Sequence, residues 1–282
     1  MNKYPGNAMT VDVEDYFQVS ALAENFPPHS WEEQQLRVEI GTYKLIELFE
    51  KHNVKATFFT LGWVAQRCPK LVRDIVNAGH ELACHGYGHQ RVTDLTPESF
   101  KEDLHRSKSI LESVGGQSVV GYRAPSFSIN DSNMWAFEVI RDAGFKYSSS
   151  TYPIKHDHYG VPHWPRKPYQ AIEGLIEIPL TTLQLGGRCL PIAGGGYFRL
   201  APYVLSRWAL KYFNKKEQRS SVFYIHPWEL DEHQPRIEKL AFKTKFRHYL
   251  NLHKVEPRMD RLLNDFKWTT VKKAYAVDLA KN

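Results

Sequence analysis

Two histidines four residues apart, His85 and His89, stand in the run Glu81-Leu82-Ala83-Cys84-His85-Gly86-Tyr87-Gly88-His89. Neutral imidazole is a common ligand for divalent transition metals, and an i, i+4 pair converges on one ion where the chain is helical or sharply turned. The two glycines permit such a turn. Thirteen histidines in 282 residues make one close pair a weak signal by itself. Its weight comes from other polar groups placed in the same way. The apolar run at residues 8–11 leads to three carboxylates, Asp12, Glu14 and Asp15, whose mutual repulsion calls for a cation or donors nearby. Residues 119–122 lead to Arg123, and residues 222–225 lead to His226.

This set has the composition of a hydrolytic centre. Two histidines and one carboxylate hold a metal on one face and leave positions open for water and substrate. A further carboxylate can act as base, a separate histidine as acid, and an arginine can keep the base ionised and oriented. Together they are the groups required for metal-assisted hydrolysis of an amide or ester.

The elements that must position these groups alternate in type. Strands are expected at residues 8–13, 54–61, 119–122, 145–147, 175–180 and 222–225, from β-branched and aromatic runs. Helices are expected at 42–51, from Pro69 to Gly79, from Thr96-Pro97 to Gly115-Gly116, from an Asp131 cap to Gly144, at 202–213, and near 242–253 and 257–266. Residues 16–40 and 151–173 are aromatic, proline-bearing and irregular, which marks them as loops. Gly194-Gly195-Gly196 lacks the spacing of a phosphate loop. Strands alternating with helices predict an α/β fold with a parallel sheet closed as a barrel. All four polar groups then sit at C-terminal strand ends, the face where such barrels carry chemistry.

Composition bounds the class. Hydrophobic residues at 42% and aromatic residues at 13% describe a packed globular chain and exclude a disordered one. The net charge is +6, but no Lys/Arg block stands out, so the basic surface reads as solvated and no nucleic-acid partner is expected. Cys68, Cys84 and Cys189 are odd in number and lack a CxxC spacing, which argues against a disulfide framework and fits a reducing compartment. Residues 1–7 carry no apolar leader segment and no stretch is long enough to span a bilayer, so the expectation is a cytoplasmic protein without a transmembrane segment.

The ordered motifs Thr10-Val11-Asp12-Val13-Glu14-Asp15, His85-Gly86-Tyr87-Gly88-His89, Arg123-Ala124-Pro125 and Ile225-His226-Pro227 resemble those of the polysaccharide deacetylase family, the NodB-homology proteins of carbohydrate esterase family 4. The resemblance covers about residues 8–228. The stretch His226-Pro227-Trp228-Glu229-Leu230-Asp231, with residues 246–252 beyond it, resembles the extension of deacetylases from exosortase-linked exopolysaccharide loci. This resemblance implies a distorted (β/α)7 barrel over residues 1–230 with a C-terminal extension, 231–282, packed on it. The implied activity is removal of N-acetyl groups from a glycan in bacterial exopolysaccharide biosynthesis, with a divalent metal, zinc, as cofactor. By motif position Asp12 is the base, Arg123 orients it, His226 is the acid, His85 and His89 are metal ligands, and the Ser126 N–H helps to hold the oxyanion.

Two positions depart from the family pattern. Val13 separates the carboxylates, so the third ligand is Glu14 or Asp15; the shorter arm of Asp15 favours it, whereas relatives with a D-x-D pattern favour Glu14. Ser148 stands where relatives carry an aspartate that tunes the acid histidine, and Asp157 and Asp231 are the replacements nearest in the chain. Trp164, in a polar loop, and Trp228 are the candidate sugar-stacking surfaces, while Trp63 and Trp135 read as core. The irregular segments 16–40 and 151–173, with the tail beyond Asp231, are expected to wall the substrate groove. Two other functions fit the same motifs less well: hydrolysis of a small cyclic amide, and a silent glycan-binding module. The latter would be expected to lose at least one of the base, ligands or acid.

Overall fold

The structure is a computed structural model that describes residues 5–156 and 159–280. Its central strand, β1 (Asn7–Val13), is buried along its whole length. Side chains alternate across a strand, and the two faces of β1 separate accordingly. Met9, Val11 and Val13 join the apolar layer beneath the helices, while Ala8 joins an interior cluster with Phe59, Ala83, Tyr147, Ile176 and Tyr224. Thr10 and Asp12 follow Ala8 on the interior side by that period.

Ten further strands follow: β2 (Thr57–Thr60), β3 (Glu81–Cys84), β4 (Gly121–Tyr122), β5 (Tyr147–Ser148), β6 (Tyr169–Ile172), β7 (Leu175–Glu177), β8 (Thr182–Leu185), β9 (Arg188–Pro191), β10 (Val222–Ile225) and β11 (Trp268–Thr269). Strands β10-β1-β2-β3-β4-β5-β7 run parallel in that order, with β6 antiparallel outside β7 and β11 paired to the start of β1. The register carries the functional consequence. Val13 pairs with Thr60, Thr60 with Cys84, and Cys84 with Tyr122, so the strands end level and the next residues emerge on one face.

Residues 181–194 span the gap between β7 and β10 without forming a continuous strand. Val222 N–H donates to the Thr181 hydroxyl at 2.7 Å, and Tyr224 N–H donates to the Ala193 carbonyl at 2.7 Å. Gly194 bridges Tyr224 with a φ of 119°, and a Cβ there would lie 2.0 Å from the Tyr224 carbonyl oxygen, so only glycine fits. The result is a distorted (β/α)7 barrel.

The helices are α1 (Val38–Lys51), α2 (Gly62–Arg67), α3 (Pro69–Asn77), α4 (Pro97–Gly115), α5 (Ala136–Asp142), α6 (Gly195–Leu200), α7 (Tyr203–Glu217), α8 (Phe242–Tyr249), α9 (Val255–Asp265), α10 (Val271–Ala274) and α11 (Ala276–Leu279). Among the described residues none is long and apolar enough to cross a membrane. Helix α4 shows the local logic: Thr96 caps it, Pro97 occupies its first turn, Phe100, Leu104 and Leu111 face inward, and Gly116 ends it in the left-handed region. From the tail, α9 buries Val255, Met259, Leu262 and Leu263 in the same apolar layer as Met9 and Val11.

Several boundaries differ from expectation. Residues 16–40 hold short 3-10 turns and the start of α1, and β6 lies inside the expected loop 151–173. The hairpin β8–β9 and helix α2 have no periodic apolar signature and were not anticipated. Asp131 does not cap α5; its carboxylate accepts the Trp164 indole N–H at 2.7 Å and faces His163 at 3.0 Å.

Candidate active site

His85 follows β3 directly and its N–H donates to the Thr60 carbonyl at 3.1 Å. Its ring Nδ1 lies 2.8 Å from the Arg123 carbonyl, so Nδ1–H donates there and Nε2 is left as the free lone pair. Burial pushes the His85 pKa down to about 4, which keeps the ring neutral and able to ligate. The loop to His89 is a tight turn, not a helix. Gly86 has a φ of 77° and a Cβ there would press on the Asp103 carboxylate. That carboxylate accepts the Tyr87 N–H at 3.1 Å and fixes the turn. Gly88 is not left-handed; His89 itself takes that conformation, with a φ of 52°.

Glu14 completes the cluster. Its Oε2 lies 2.6 Å from His89 Nε2, and one ligand atom each from Glu14, His85 and His89 fall within 4.8 Å of one another. Burial alone would raise the Glu14 pKa, but the imidazoles of His89, His226 and His85 pull it down to about 2. Oε2 is buried and, beside His89 Nε2, receives no well-aligned hydrogen bond, while Oε1 accepts the Trp228 indole N–H at 3.1 Å. Two nitrogen donors and an orphaned buried carboxylate oxygen fit a divalent transition metal.

Asp15 is not part of this cluster, which corrects one of the two options for the third ligand. Its carboxylate accepts the backbone N–H groups of Tyr16, Arg37 and Val38 at 2.8, 2.6 and 2.7 Å. It therefore caps a 3-10 turn and ties down the start of α1. The intervening Val13 turns into the apolar layer and aims the neighbouring Glu14 the other way.

Asp12 and Arg123 form a buried pair, with Arg123 Nη1 donating to Asp12 Oδ1 at 2.6 Å and to the Thr10 hydroxyl at 2.8 Å. Arg123 Nε donates to the Ser149 carbonyl and Nη2 to the Ser149 hydroxyl, each at 3.1 Å. The guanidinium also lies over the Phe59 ring at 4.1 Å. Such multidentate contacts fix the guanidinium in place and through it the carboxylate.

His226 directly follows β10, with its Nε2 3.8 Å from Glu14 Oε1. Its Nδ1 lies 2.7 Å from Glu229, and Arg199 in turn donates to Glu229 at 2.6 Å. Burial would lower the His226 pKa, but the Glu229 hydrogen bond and the charges of Glu14, Glu229 and Asp12 lift it to about 9. Glu229 is the carboxylate that Ser148 does not supply. Ser148 is bonded to Ser150, Asp231 is held by Arg37 at 2.5 and 2.8 Å, and Asp157 lies outside the described residues.

Asp12, Glu14, His85, His89 and His226 line one cavity of about 500 Å³, with Arg123 and Glu229 buried behind Asp12 and His226. Ser126 lines it too, with consecutive left-handed residues at Ser126 and Phe127 and a 2.7 Å contact between the Ser126 and Ser20 hydroxyls. Val19, Tyr159 and Thr244 reach the wall from residues 16–40, 151–173 and the tail. The two tryptophans differ. Trp228 lines the cavity but is only 6% exposed, with its faces stacked on His226 at 5.2 Å and His248 at 4.5 Å, so its edge and not an open ring face meets the cavity. Trp164 packs on Phe137 at 6.0 Å, outside the cavity. Tyr159 is the loop aromatic that the sequence reading missed.

Residues 38–148 match the family model described as polysaccharide deacetylase, and residues 149–276 match the one described as a domain of unknown function (DUF3473). Residues 38–148 thus belong to the polysaccharide deacetylase family. A peptidoglycan deacetylase of Helicobacter pylori is 30% identical over 128 residues, 45% of this chain and 41% of that protein, so the chain spans under half the length of this family relative. A Mycobacterium smegmatis protein assigned to the polysaccharide deacetylases shares the fold at a TM-score of 0.59 and 18% identity, covering 99% of this chain and 92% of that one. A CE4 family pseudoenzyme of Bacillus anthracis shares it at 0.52 and 14%, covering 97% of this chain and 66% of that one. The deacetylase fold therefore accompanies both active and silent sites, and the side chains must decide.

Proposed function

We propose that the protein is a metal-dependent N-deacetylase of an acetylated polysaccharide. The observation that carries this reading is the presence, in one cavity, of the Glu14–His85–His89 trio, the Arg123-held Asp12 and the Glu229-held His226. A silent module has no use for a complete set, and buried charge held without function is costly. The resemblance of residues 226–252 to deacetylases of exopolysaccharide loci supports a bacterial exopolysaccharide as the polymer.

A divalent metal held by Glu14, His85 and His89, zinc by the character of the donors, would supply Lewis acidity at the acetyl carbonyl. Asp12, with Oδ1 occupied by Arg123, offers its other oxygen to take a proton from the attacking water. The water oxygen adds to the carbonyl carbon to give a tetrahedral oxyanion, and collapse of that oxyanion to the carbonyl breaks the C–N bond. His226 gives its Nε2 proton to the departing nitrogen, while Glu229 holds Nδ1–H and fixes the ring. The Ser126 N–H, in the left-handed turn after Pro125, would help to steady the oxyanion, as the family resemblance implies. The products are acetate and a free amino sugar. The test is acetate release from a panel of N-acetylated oligosaccharides by the wild type and by Asp12→Asn. Release by the wild type with a loss of at least about 100-fold in the variant supports the reading, and equal rates contradict it.

A further inference from the structure

Helix α6 has two working sides. Gly196 and Arg199 wall the catalytic cavity, whereas Tyr197, Phe198 and Leu200 wall a second groove of about 340 Å³ that is almost wholly apolar. Above this groove α7 presents Val204, Leu205 and Trp208 outward, with Val204 71% exposed. Leu200, just before α7, and Leu190 on β9 are exposed beside them. A water-facing helix turns its polar stripe outward, and here the outward positions of the first two turns are apolar.

The charges beside the patch are mainly basic, and the carboxylate that meets the opening turns of α7, Asp265, is engaged by Tyr203 and Arg207. Arg188 adjoins Leu190, and Lys211 and Lys215 continue the exposed side of α7. The helix carries no carboxylate before Glu217, which is taken by Arg166 and Arg219 at 2.6 and 2.7 Å. Trp208 stacks on Tyr212 at 5.6 Å, an aromatic pair of the type that settles at a membrane–water boundary. The pattern recurs on α8, where Phe242, 85% exposed, and Phe246 alternate with Lys243, Lys245 and Arg247, and where Thr244 lines the catalytic cavity.

We propose that this face docks on an anionic phospholipid bilayer. Leu200, Val204, Leu205 and Trp208 enter the boundary between headgroups and acyl chains, and Lys211 and Lys215 meet lipid phosphates. A second copy of the chain fits less well, because a two-fold contact sets this basic patch against itself. No helix among the described residues is long and apolar enough to span the bilayer, so the contact lies in the interface plane. If the deacetylase reading holds, on which this consequence alone rests, the cavity across α6 opens toward glycan carried at the membrane surface.

The experiment is co-sedimentation of the 282-residue, metal-loaded chain with vesicles of phosphatidylcholine alone and of phosphatidylcholine with phosphatidylglycerol. The wild type should sediment with the anionic vesicles, and raised salt should release it. Val204→Glu combined with Trp208→Glu should lower the partitioned fraction by at least about tenfold, with thermal unfolding unchanged. Lys211→Glu with Lys215→Glu should abolish the preference for anionic lipid. Absence of vesicle binding, equal binding to both vesicle types, or wild-type binding by the Val204/Trp208 variant overturns the proposal. So does a wild-type dimer that this variant makes monomeric. Loss of the deacetylase reading would show separately, as no acetate release from a soluble oligosaccharide whatever the vesicle result.

Discussion

The imidazole Nδ1 of His226 lies 2.7 Å from a carboxylate oxygen of Glu229, three residues along the same chain. The pair is closed by Arg199, which donates to the other Glu229 oxygen at 2.6 Å and keeps the carboxylate ionised despite its burial. The histidine proposed as the acid thus has its protonated form favoured by a neighbour in the turn that follows β10.

That arrangement sets an alkaline limb. The working form of His226 is protonated, and its pKa is lifted to about 9, so kcat/KM should fall as pH rises through that value. Glu229→Gln removes the charge and leaves burial to dominate, which moves the limb toward lower pH. The pH profile of acetate release in the two proteins measures this. A limb that stays in place in Glu229→Gln would show that another group sets it.

Glu14 and Asp15 should separate cleanly by variant. Glu14→Gln takes away the orphaned ligand oxygen and should weaken metal binding by roughly 10–100-fold or more. Asp15→Ala should keep metal while losing about 1–3 kcal/mol of stability, because three backbone N–H groups lose their acceptor. Metal titration beside urea unfolding distinguishes the two. Weaker metal binding in Asp15→Ala with unchanged stability would contradict the assignment.

Trp228→Phe preserves a ring between His226 and His248 but removes the indole donor to Glu14. Metal affinity should drop about tenfold with the fold intact. Trp164→Ala should do the reverse, lowering thermal stability through the lost Phe137 contact and leaving kcat/KM unchanged. A fall in glycan affinity in Trp164→Ala without a stability loss would return that residue to the substrate groove.

Acid should destabilise the metal-free protein over a defined window. His80, His85 and His248 are buried and held neutral, with pKa values pushed from 6.5 down to about 4, about 4 and about 3. The unfolded chain binds those protons first, so their effect is absent above pH 6.5 and grows as pH falls toward 4. Each contributes about 1.4 kcal/mol per pH unit to the slope. His80 accepts the Ala56 N–H and precedes β3, at the opposite end of that strand from His85, so His80→Gln should flatten the slope by one proton in urea unfolding at stepped pH. An unchanged slope would contradict the account.

The alternation of strands with helices and the placement of Asp12, His85, Arg123 and His226 at strand ends were legible because short apolar, β-branched or aromatic runs stop at those residues. The choice of Glu14 over Asp15 was not legible. It depends on which way β1 turns after Val13 and on three backbone donors contributed by residues 16–38. Glu229 was hidden for a related reason. The reading looked to the position held by Ser148 for a carboxylate, whereas the 3-10 turn at Pro227–Leu230 places one beside the ring within the same segment. Trp164 looked like an exposed stacking surface because its loop is polar, yet Asp131 and Phe137 engage it. The apolar outward face of α7 is also plain in the sequence only once Ala209, Leu210 and Phe213 are known to point inward.

The central claim, hydrolysis at the Glu14–His85–His89 trio, is tested most directly by measuring acetate released per bound metal ion from N-acetylated oligosaccharides, for the wild type and His85→Ala in parallel. The account predicts about one divalent ion per chain and steady acetate release in the wild type, with loss of both in the variant. Wild-type acetate release by a His85→Ala protein that holds no metal would contradict it.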